Sequence, residues 1–552
     1  MVKGGKPLRG HDESADSNEK GLFLEVVDLL KRYDVEFKEY LDNAPKNCTY
    51  LSNRIQNDIL TALRNVILQL IREELEGQSV ALTADETSDV GRHEQLSVVL
   101  RYIPKNEVLP VERFISMNRL TATDAQTIFN SLTTTLQSLG VAWENVLAVA
   151  FDGASNMSGE FSGVQAKSKL ENKSILYTHC WGHCLNLVLV DACSPHRHAV
   201  FEKIVAQTNS KLKSLKSLSE TRWACRAEAV AVVRTHFKSI IETLENIIQI
   251  TTDSKAKAKG VGILKAMKHF NFIICMEIIH PILQLIVLVS RTLQSPTIDL
   301  TQAMKDVSAL ALSLNEMRIS DTIYDDMYAR SVTICDELSI DIPTLNPKSR
   351  KVSTRIDRNP SSAFVAASAK DDIKFFVFNR AIDDLIESLN DRFDQETKKL
   401  ITAVGKILSL GSNDYTIQPE DITLLSNQFK LDSDSFEAEI RLFKTRRNNA
   451  LNLQNTLDWL EWLSKHERQV TYENVYKLLA QFATIPVTSC TCERSFSKLK
   501  IVKTKLRSTM LQDRLDNLLL PFIEQELAAK AEEEKIIEEF KKIVSFDRRM
   551  AL

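Results

Sequence analysis

Glycine and proline are scarce in this chain, at 15 and 13 in 552 residues. So few turn-formers exclude long disordered tracts and an all-β protein of many short strands. Excess charge of one sign is also missing: 70 Lys and Arg against 73 Asp and Glu leave −3. That excludes a uniformly basic nucleic-acid coat but permits local basic patches. Nine cysteines, odd in number and unevenly spread, make no disulfide framework and point to a reducing compartment. The first twenty residues are polar and charged and lack the apolar run of a signal peptide. No Ser-His-Asp pattern, P-loop or GxGxxG carries weight, which disfavours a hydrolase of that type or a nucleotide-driven motor.

One long apolar run is present, from Phe270 to Ser290, with Glu277, His280 and Pro281 near its middle. A lipid-facing helix rarely tolerates such residues, so a helix buried in a soluble protein is expected, and no membrane partner.

At 44% hydrophobic composition the chain can bury a sizeable core and form more than one structural unit. Residues 1–19 read as a disordered N-terminus. From 20 to 78 apolar residues recur at helical spacing, as in Ile59, Leu63, Val66, Ile67, Leu70 and Ile71. Strand-like runs follow at Val80–Thr87, Gln95–Ile103 and Val111–Met117. A helix is predicted from Asp124 to Leu139 with Gly140 as its stop, then a strand at Val146–Phe151. A short helix at Val164–Leu170, a strand at Ser174–Thr178 and a helix from about Cys180 complete a β-β-β-α-β-α-β-α order. Hairpin-connected strands followed by right-handed crossovers make a mixed sheet covered by helices. This is the order of a ribonuclease H-like core, taken to span 79–225. The pattern from 226 to 465 is nearly all helical, too long for a loop, and reads as an inserted helical domain. Residues 466–552 return to the core and end in a charged helical tail, Ala528–Lys542. The predicted class is therefore α/β plus α, with a helical N-terminal segment and a helical C-terminus.

Three acids stand out. Asp85 ends one apolar strand, Asp152 ends another, and Glu493 lies more than 300 residues further on in Cys490-Thr491-Cys492-Glu493-Arg494. Carboxylates at the ends of buried strands have lost water, and a divalent cation shared between them relieves the cost. Two acids on strands and a third on a late helix is the layout of a phosphoryl-transfer site acting on DNA.

Five local patterns now carry a resemblance to the hAT superfamily of DNA transposases over nearly the whole chain. Asp85-Glu86-Thr87-Ser88-Asp89 resembles its first-acid motif and Asp152-Gly153-Ala154-Ser155-Asn156-Met157 its second. Cys180-Trp181-Gly182-His183 is similar to the family's Cys-x-x-His helix start, and Thr221-Arg222-Trp223 to its Arg-Trp pair. Ser489 to Ser497 resembles the third-acid segment, which opens the C-terminal dimerisation region. The subgroup it looks most like is the zinc-finger MYM-type-like proteins, which join a DUF4371 domain to that region. Two features depart from the family: no BED-type finger precedes residue 20, and Glu86 and Thr87 stand where a Trp is common.

The resemblance implies that Asp85, Asp152 and Glu493 hold two Mg²⁺ or Mn²⁺ ions for DNA strand cleavage, flanking hairpin formation and strand transfer. It implies a homodimer or higher oligomer formed through the C-terminal region. The DNA would be transposon ends or flanking duplex, and the location the nucleus. The alternative is a transposase-derived dimerising scaffold or transcription or chromatin regulator that has lost catalysis. Arg222 and Trp223 could stack on an extruded base, or Trp223 could simply cap the core. Arg494, Lys498, Lys500, Lys503, Lys505 and Arg507 crowd into fourteen residues beside Glu493 and suit duplex phosphates. A zinc shared by Cys180, His183, Cys193 and His196 is disfavoured, because about 13 helical residues would hold the two pairs roughly 20 Å apart. Cys180 and His183 are instead expected to start a structural helix. Leu511, Leu515, Leu518 and Leu519 form an i, i+4, i+7, i+8 stripe. For that stripe the resemblance implies packing on the insertion and a share in the dimer surface.

Overall fold

The structure is a computed structural model. It describes all residues except 11, 14–16, 18, 46–48, 193–222, 344–367, 394–396, 410–416, 448–452, 454, 466–467 and 545–552. By internal contacts the chain divides into two compact units. The first contains Met1–Trp181, Pro296–Gln302 and Glu396–Leu552, and the second Gly182–Ser295 and Ala303–Gln395.

The first unit opens with α1 (Leu22–Tyr33), α2 (Val35–Asn43) and α3 (Asn53–Leu75). Asp34 caps α2, and Ser52 caps α3 by accepting from the Ile55 N–H. Strands β1 (Val80–Ser88), β2 (Glu94–Tyr102) and β3 (Val111–Arg119) then form an antiparallel meander. Helix α4 (Ala125–Ser138) crosses to β4 (Val146–Phe151), and α5 (Ser155–Ser158) and α6 (Val164–Glu171) lead to β5 (Leu176–His179). The sheet order is β3-β2-β1-β4-β5, with β1 and β4 side by side and parallel. The predicted mixed sheet and its element order are therefore observed. Val80, Leu82, Ala84, Val98, Val99 and Leu100 are wholly buried, which is why these strands read as continuous apolar runs rather than alternating ones.

Two later helices close this unit on the sheet. These are α8 (Cys490–Val502) and α9 (Gln512–Ile523); α7 (Trp181–Ala192) starts just after β5 and from Gly182 on groups with the second unit. Leu515, Leu518 and Leu519 of α9 join the core formed by the sheet, α3 and α8, whereas Leu511 is exposed. The leucine stripe thus belongs to the core of the sheet unit, with Leu511 left outside. The charged tail is likewise a packed helix: Glu533–Ile543 lays Phe540 against Ala62 and Tyr50 of the N-terminal region.

Two further differences from the sequence reading follow from contacts distant in the chain. Leu8 is buried in the core, and Gln525 donates to the Lys3 carbonyl at 2.8 Å, so residues 1–10 are structured. Helices Thr397–Leu408, Pro419–Phe429, Ser433–Arg447 and Thr456–Ser464 group with the sheet unit, where the sequence places them in a 226–465 insertion. Helix Glu473–Thr484 buries Val475, Leu478, Leu479 and Phe482, and three of those helices pack on it.

The second unit is helical among its described residues. Its longest helix, Phe270–Leu293, is long and apolar enough to cross a membrane by length and composition alone. Here Glu277, 2% exposed, receives Arg234 Nε at 2.8 Å and Arg330 Nε at 2.9 Å. A carboxylate gripped by two guanidiniums marks a helix buried in protein.

Candidate active site

The carboxyl ends of β1, β4 and β5 share one edge, and the helix bearing the third acid starts there. Thr83 pairs with Ala150 in the β1–β4 ladder; carried on by two residues, that register sets Asp85 level with Asp152. In the β2 ladder Asp85 pairs with Ser97. Ser97 Oγ lies 2.8 Å from Ser495 Oγ, and Cys492 Sγ donates to the Ser97 carbonyl at 3.8 Å. These bonds seat the first turn of α8, and Glu493 with it, beside the end of β1.

Two other tethers hold that turn. The Ser489 N–H donates to Cys180 Sγ at 3.2 Å, and the Trp181 N–H donates to the Val487 carbonyl at 3.0 Å. The Cys180 motif therefore fixes the approach to α8 as it leaves β5. On β3, Glu112 accepts from Thr491 Oγ1 and pairs with Arg494 at 3.5 Å. Its other oxygen takes Arg101 Nη1 at 2.9 Å, from a guanidinium 2% exposed. Neither Ser97 nor Glu112 was legible as a site residue, because each matters only through a helix some 380 residues or more away.

The field at this edge is strongly negative. Burial, then the Asp152 carboxylate, pushes the Asp85 carboxyl up to about 8; Glu493 and Glu86 add to the push, and the Glu86 N–H at 2.8 Å opposes it. Glu86 is a fourth acid there, raised to about 7 by burial, Asp152 and Glu94, with Asn156 Nδ2 3.5 Å away. Asp152 closes its own turn by accepting from the Ala154 N–H at 3.1 Å. Asp85, Asp152 and Glu493 thus stand in one field, all half-buried.

Such a set, all oxygen and mutually repelling, fits a hard divalent cation of the Mg²⁺ or Mn²⁺ kind. The neighbouring thiols do not compete: burial pushes Cys490 up to about 12 and Cys492 well above its usual value, so both stay protonated. Among the described residues, no group of three or more His, Cys, Asp or Glu side chains is arranged to hold a metal ion. The acids share a field without yet forming a coordination sphere.

The Asp85 shift predicts a pH dependence. A carboxyl raised in the folded state stabilises the protein below its ordinary value near 3.8, and that contribution is lost as pH rises towards 8. With chelator present, Asp85→Asn is expected to gain on the wild type by about 1.4 kcal/mol per pH unit across this window. Urea melts at fixed salt check it; a gap that stays constant between pH 5 and pH 8 refutes it.

The basic cluster is split by the fold. Lys500 and Lys505 are exposed, and Arg494 is exposed but paired with Glu112. Lys498 lies over the Phe522 ring at 4.4 Å, and Arg507 donates to the Val502 carbonyl at 2.9 Å. Lys503 contradicts the expectation of phosphate contact. It is 3% exposed and sits 2.7 Å from Asp89, itself buried at the end of the first-acid motif. Lys503 follows Cys492, Ser495, Leu499 and Val502 on the inward face of the helix, so a count of charges along the chain misplaces it. Arg222, Cys193 and His196 lie outside the described residues, and Trp223 enters only as the backbone start of a helix. Cys180 is buried and His183 half-buried.

Comparison with known proteins finds two matched regions. Residues 1–163, which contain Asp85 and Asp152, match the ZMYM1/FAM200 RNase-like domain family, DUF4371. Residues 438–527, which contain Glu493, match the hAT family C-terminal dimerisation region. The mouse (Mus musculus) and human (Homo sapiens) proteins named 52 kDa repressor of the inhibitor of the protein kinase are each 21% identical to the chain. Each alignment runs over 564 residues, 94% of this chain and 72% of the relative. An RNase-like domain joined to a hAT dimerisation region bears out the resemblance to hAT-type, transposase-derived proteins and supports self-association.

Proposed function

We propose that this chain acts on DNA as a nuclear, metal-dependent phosphoryl-transfer protein of hAT type, with Asp85, Asp152 and Glu493 as metal ligands. The observation that carries this reading is the parallel register of β1 and β4, which sets Asp85 level with Asp152, together with the bonds that seat the Glu493 turn beside the end of β1. The ions would neutralise phosphate charge and lower the pKa of the attacking hydroxyl. The protein's own part is positioning. Rigid strands present Asp85 and Asp152, and the tethers at Ser97, Cys180 and Glu112 fix the Glu493 turn. The test is cleavage of a labelled duplex by purified protein with Mn²⁺. No cleavage, even when a DNA-binding domain is supplied in cis, overturns the catalytic reading.

Within the basic cluster, Lys500 and Lys505 are exposed and are offered to duplex phosphates. Their double replacement by Ala is expected to weaken duplex binding whatever the sequence and to lower the salt slope of log K by about 2. A fluorescence-anisotropy salt series reads this; an unchanged slope rejects the surface.

A second reading is a transposase-derived regulator without catalysis. The relatives' printed name, a repressor, favours it, as does the withdrawal of Lys503 and Arg494 into ion pairs. In either case the self-associating surface is proposed to include Ile501, Leu506 and Leu511. These apolar side chains are exposed within the matched dimerisation region.

A further inference from the structure

Two loops beyond the acids are pinned by their own bonds, and each presents an exposed side chain that the fold does not use. The first follows β4. Past Asp152, Ser158 Oγ reaches the Gly153 and Ala154 carbonyls at 3.1 and 3.0 Å, and Asn156 Nδ2 donates to the Thr123 carbonyl at 2.9 Å. The Gly163 N–H then donates to the Gly159 carbonyl at 3.0 Å. These glycines meet so closely that a Cβ on Gly163 would lie 2.5 Å from the Gly159 nitrogen, so a side chain is not accommodated. The three residues between them form a pinched tip, and Phe161 in its middle is 97% exposed. The second loop is the β1–β2 hairpin. Asp89 accepts from the Gly91 and His93 N–H groups at 2.7 and 3.2 Å, which fixes the turn with Arg92 exposed on it.

The end of β3 adds a second cation. Asp85 pairs with Ser97 and Ser97 with Met117; two residues on, Thr87 pairs with Gln95 and Gln95 with Arg119. Paired residues face the same way, so exposed Arg119 stands on the Asp85 face of the sheet. Two strand spacings of about 4.8 Å and two residue rises of about 3.3 Å put its Cα roughly 12 Å from that of Asp85. Neither Arg92 nor Arg119 makes an ion pair among the described residues. On the other side, Ser158 touches Gly153, and the three residues from there to Phe161 span at most about 11 Å. The acids therefore lie between an unpaired cation and a bare aromatic ring.

An exposed ring alone suits a protein as well as a nucleobase, and its surroundings decide between them. Four acids repel a phosphate backbone, so cations set beyond them are what admit one. A ring held rigidly beside such cations offers a stacking platform to a base that has left its neighbours.

We propose that this edge takes DNA carrying an unpaired base near the acids: Phe161 stacks on that base while Arg92 and Arg119 hold phosphates. The inference rests on the DNA reading above and names the substrate class for the same site. The test is fluorescence anisotropy of the whole chain with Ca²⁺ present to neutralise the acids. Its probes are a fully paired duplex and the same duplex with one bulged base. The wild type is expected to prefer the bulged duplex by about tenfold. Phe161→Ala abolishes the preference while leaving the paired duplex within about twofold, and Phe161→Trp retains it. Arg92→Ala combined with Arg119→Ala weakens both duplexes alike and lowers the salt slope of log K by about 2. All three side chains are exposed, so the fold does not depend on them. A wild type that binds neither duplex overturns the DNA reading and this inference with it. Equal binding of the two duplexes, or a preference that survives in Phe161→Ala, overturns this inference and leaves the DNA reading standing. So does an unchanged slope in the arginine variant. A Phe161→Ala variant that keeps the preference but shifts self-association in sedimentation assigns the ring to a protein contact and overturns it as well.

Discussion

Asp152→Asn is expected to lower Mn²⁺-dependent cleavage of a labelled duplex by roughly three orders of magnitude, with the fold intact. A metal's charge stabilisation in such a reaction is worth several kcal/mol, and about 1.4 kcal/mol is tenfold in rate. Asn keeps the turn, because its side-chain oxygen can still accept from the Ala154 N–H that Asp152 now binds at 3.1 Å. It removes the charge that pushes Asp85 up. In chelator the variant should therefore be no less stable than the wild type, and Asp85 should titrate closer to its ordinary value. Single-turnover cleavage together with a pH series of melts separates the two effects. Cleavage at the wild-type rate in Asp152→Asn would remove Asp152 from the chemistry, whatever its neighbours do.

Lys503→Ala is expected to cost about 3–5 kcal/mol of stability, far more than any exposed lysine on the same helix. The reason is what it leaves behind. The Asp89 side chain is 1% exposed and accepts four bonds: from Lys503 at 2.7 Å, Gln95 at 3.0 Å, and the Gly91 and His93 N–H groups at 2.7 and 3.2 Å. Burial works to raise its pKa, and these bonds outweigh it and hold the carboxyl below its ordinary value. Its contribution is thus present above pH 4 and is lost as pH falls below that. Without Lys503 the carboxylate remains buried and uncompensated. Adding Asp89→Asn should return part of the loss, because a neutral amide is cheaper to bury unpaired. Chemical denaturation of the two single variants and the double variant measures the coupling. Lys500→Ala as a control should fall within about 0.5 kcal/mol of the wild type.

The same residue shows where sequence reasoning stops. Asp85 and Asp152 were readable because strands buried on both faces appear as unbroken apolar runs, and an acid at the end of such a run is conspicuous. The element order alone leaves the strand order open; it is the ribonuclease H-like pattern that puts β4 beside β1, and the sheet has the two as parallel neighbours. Glu493 was legible only through its motif, and no local signal says that its helix starts at the same edge. What places it there is Ser97, Cys180 and Glu112, three partners scattered over β2, β3 and the end of β5. Lys503 was misread because helical phase, rather than density of charge, decides which lysine is buried. The helices between 397 and 464 were assigned by continuity of pattern. Helical periodicity says that a face is apolar without saying what covers it.

The way the first unit is assembled from separate stretches has a consequence for its synthesis. Trp181 and Cys490 are 309 residues apart, yet the bonds at Cys180 and Trp181 join that end of the sheet to the start of α8. At ribosomal rates of about 5–20 residues per second, roughly 15–60 s pass between the emergence of the two. Throughout that interval Leu515, Leu519 and Leu499 have not arrived to cover the sheet's apolar residues, and the nascent chain presents a bare hydrophobic face. Until the late helices arrive, that face is the kind of surface on which nascent chains aggregate.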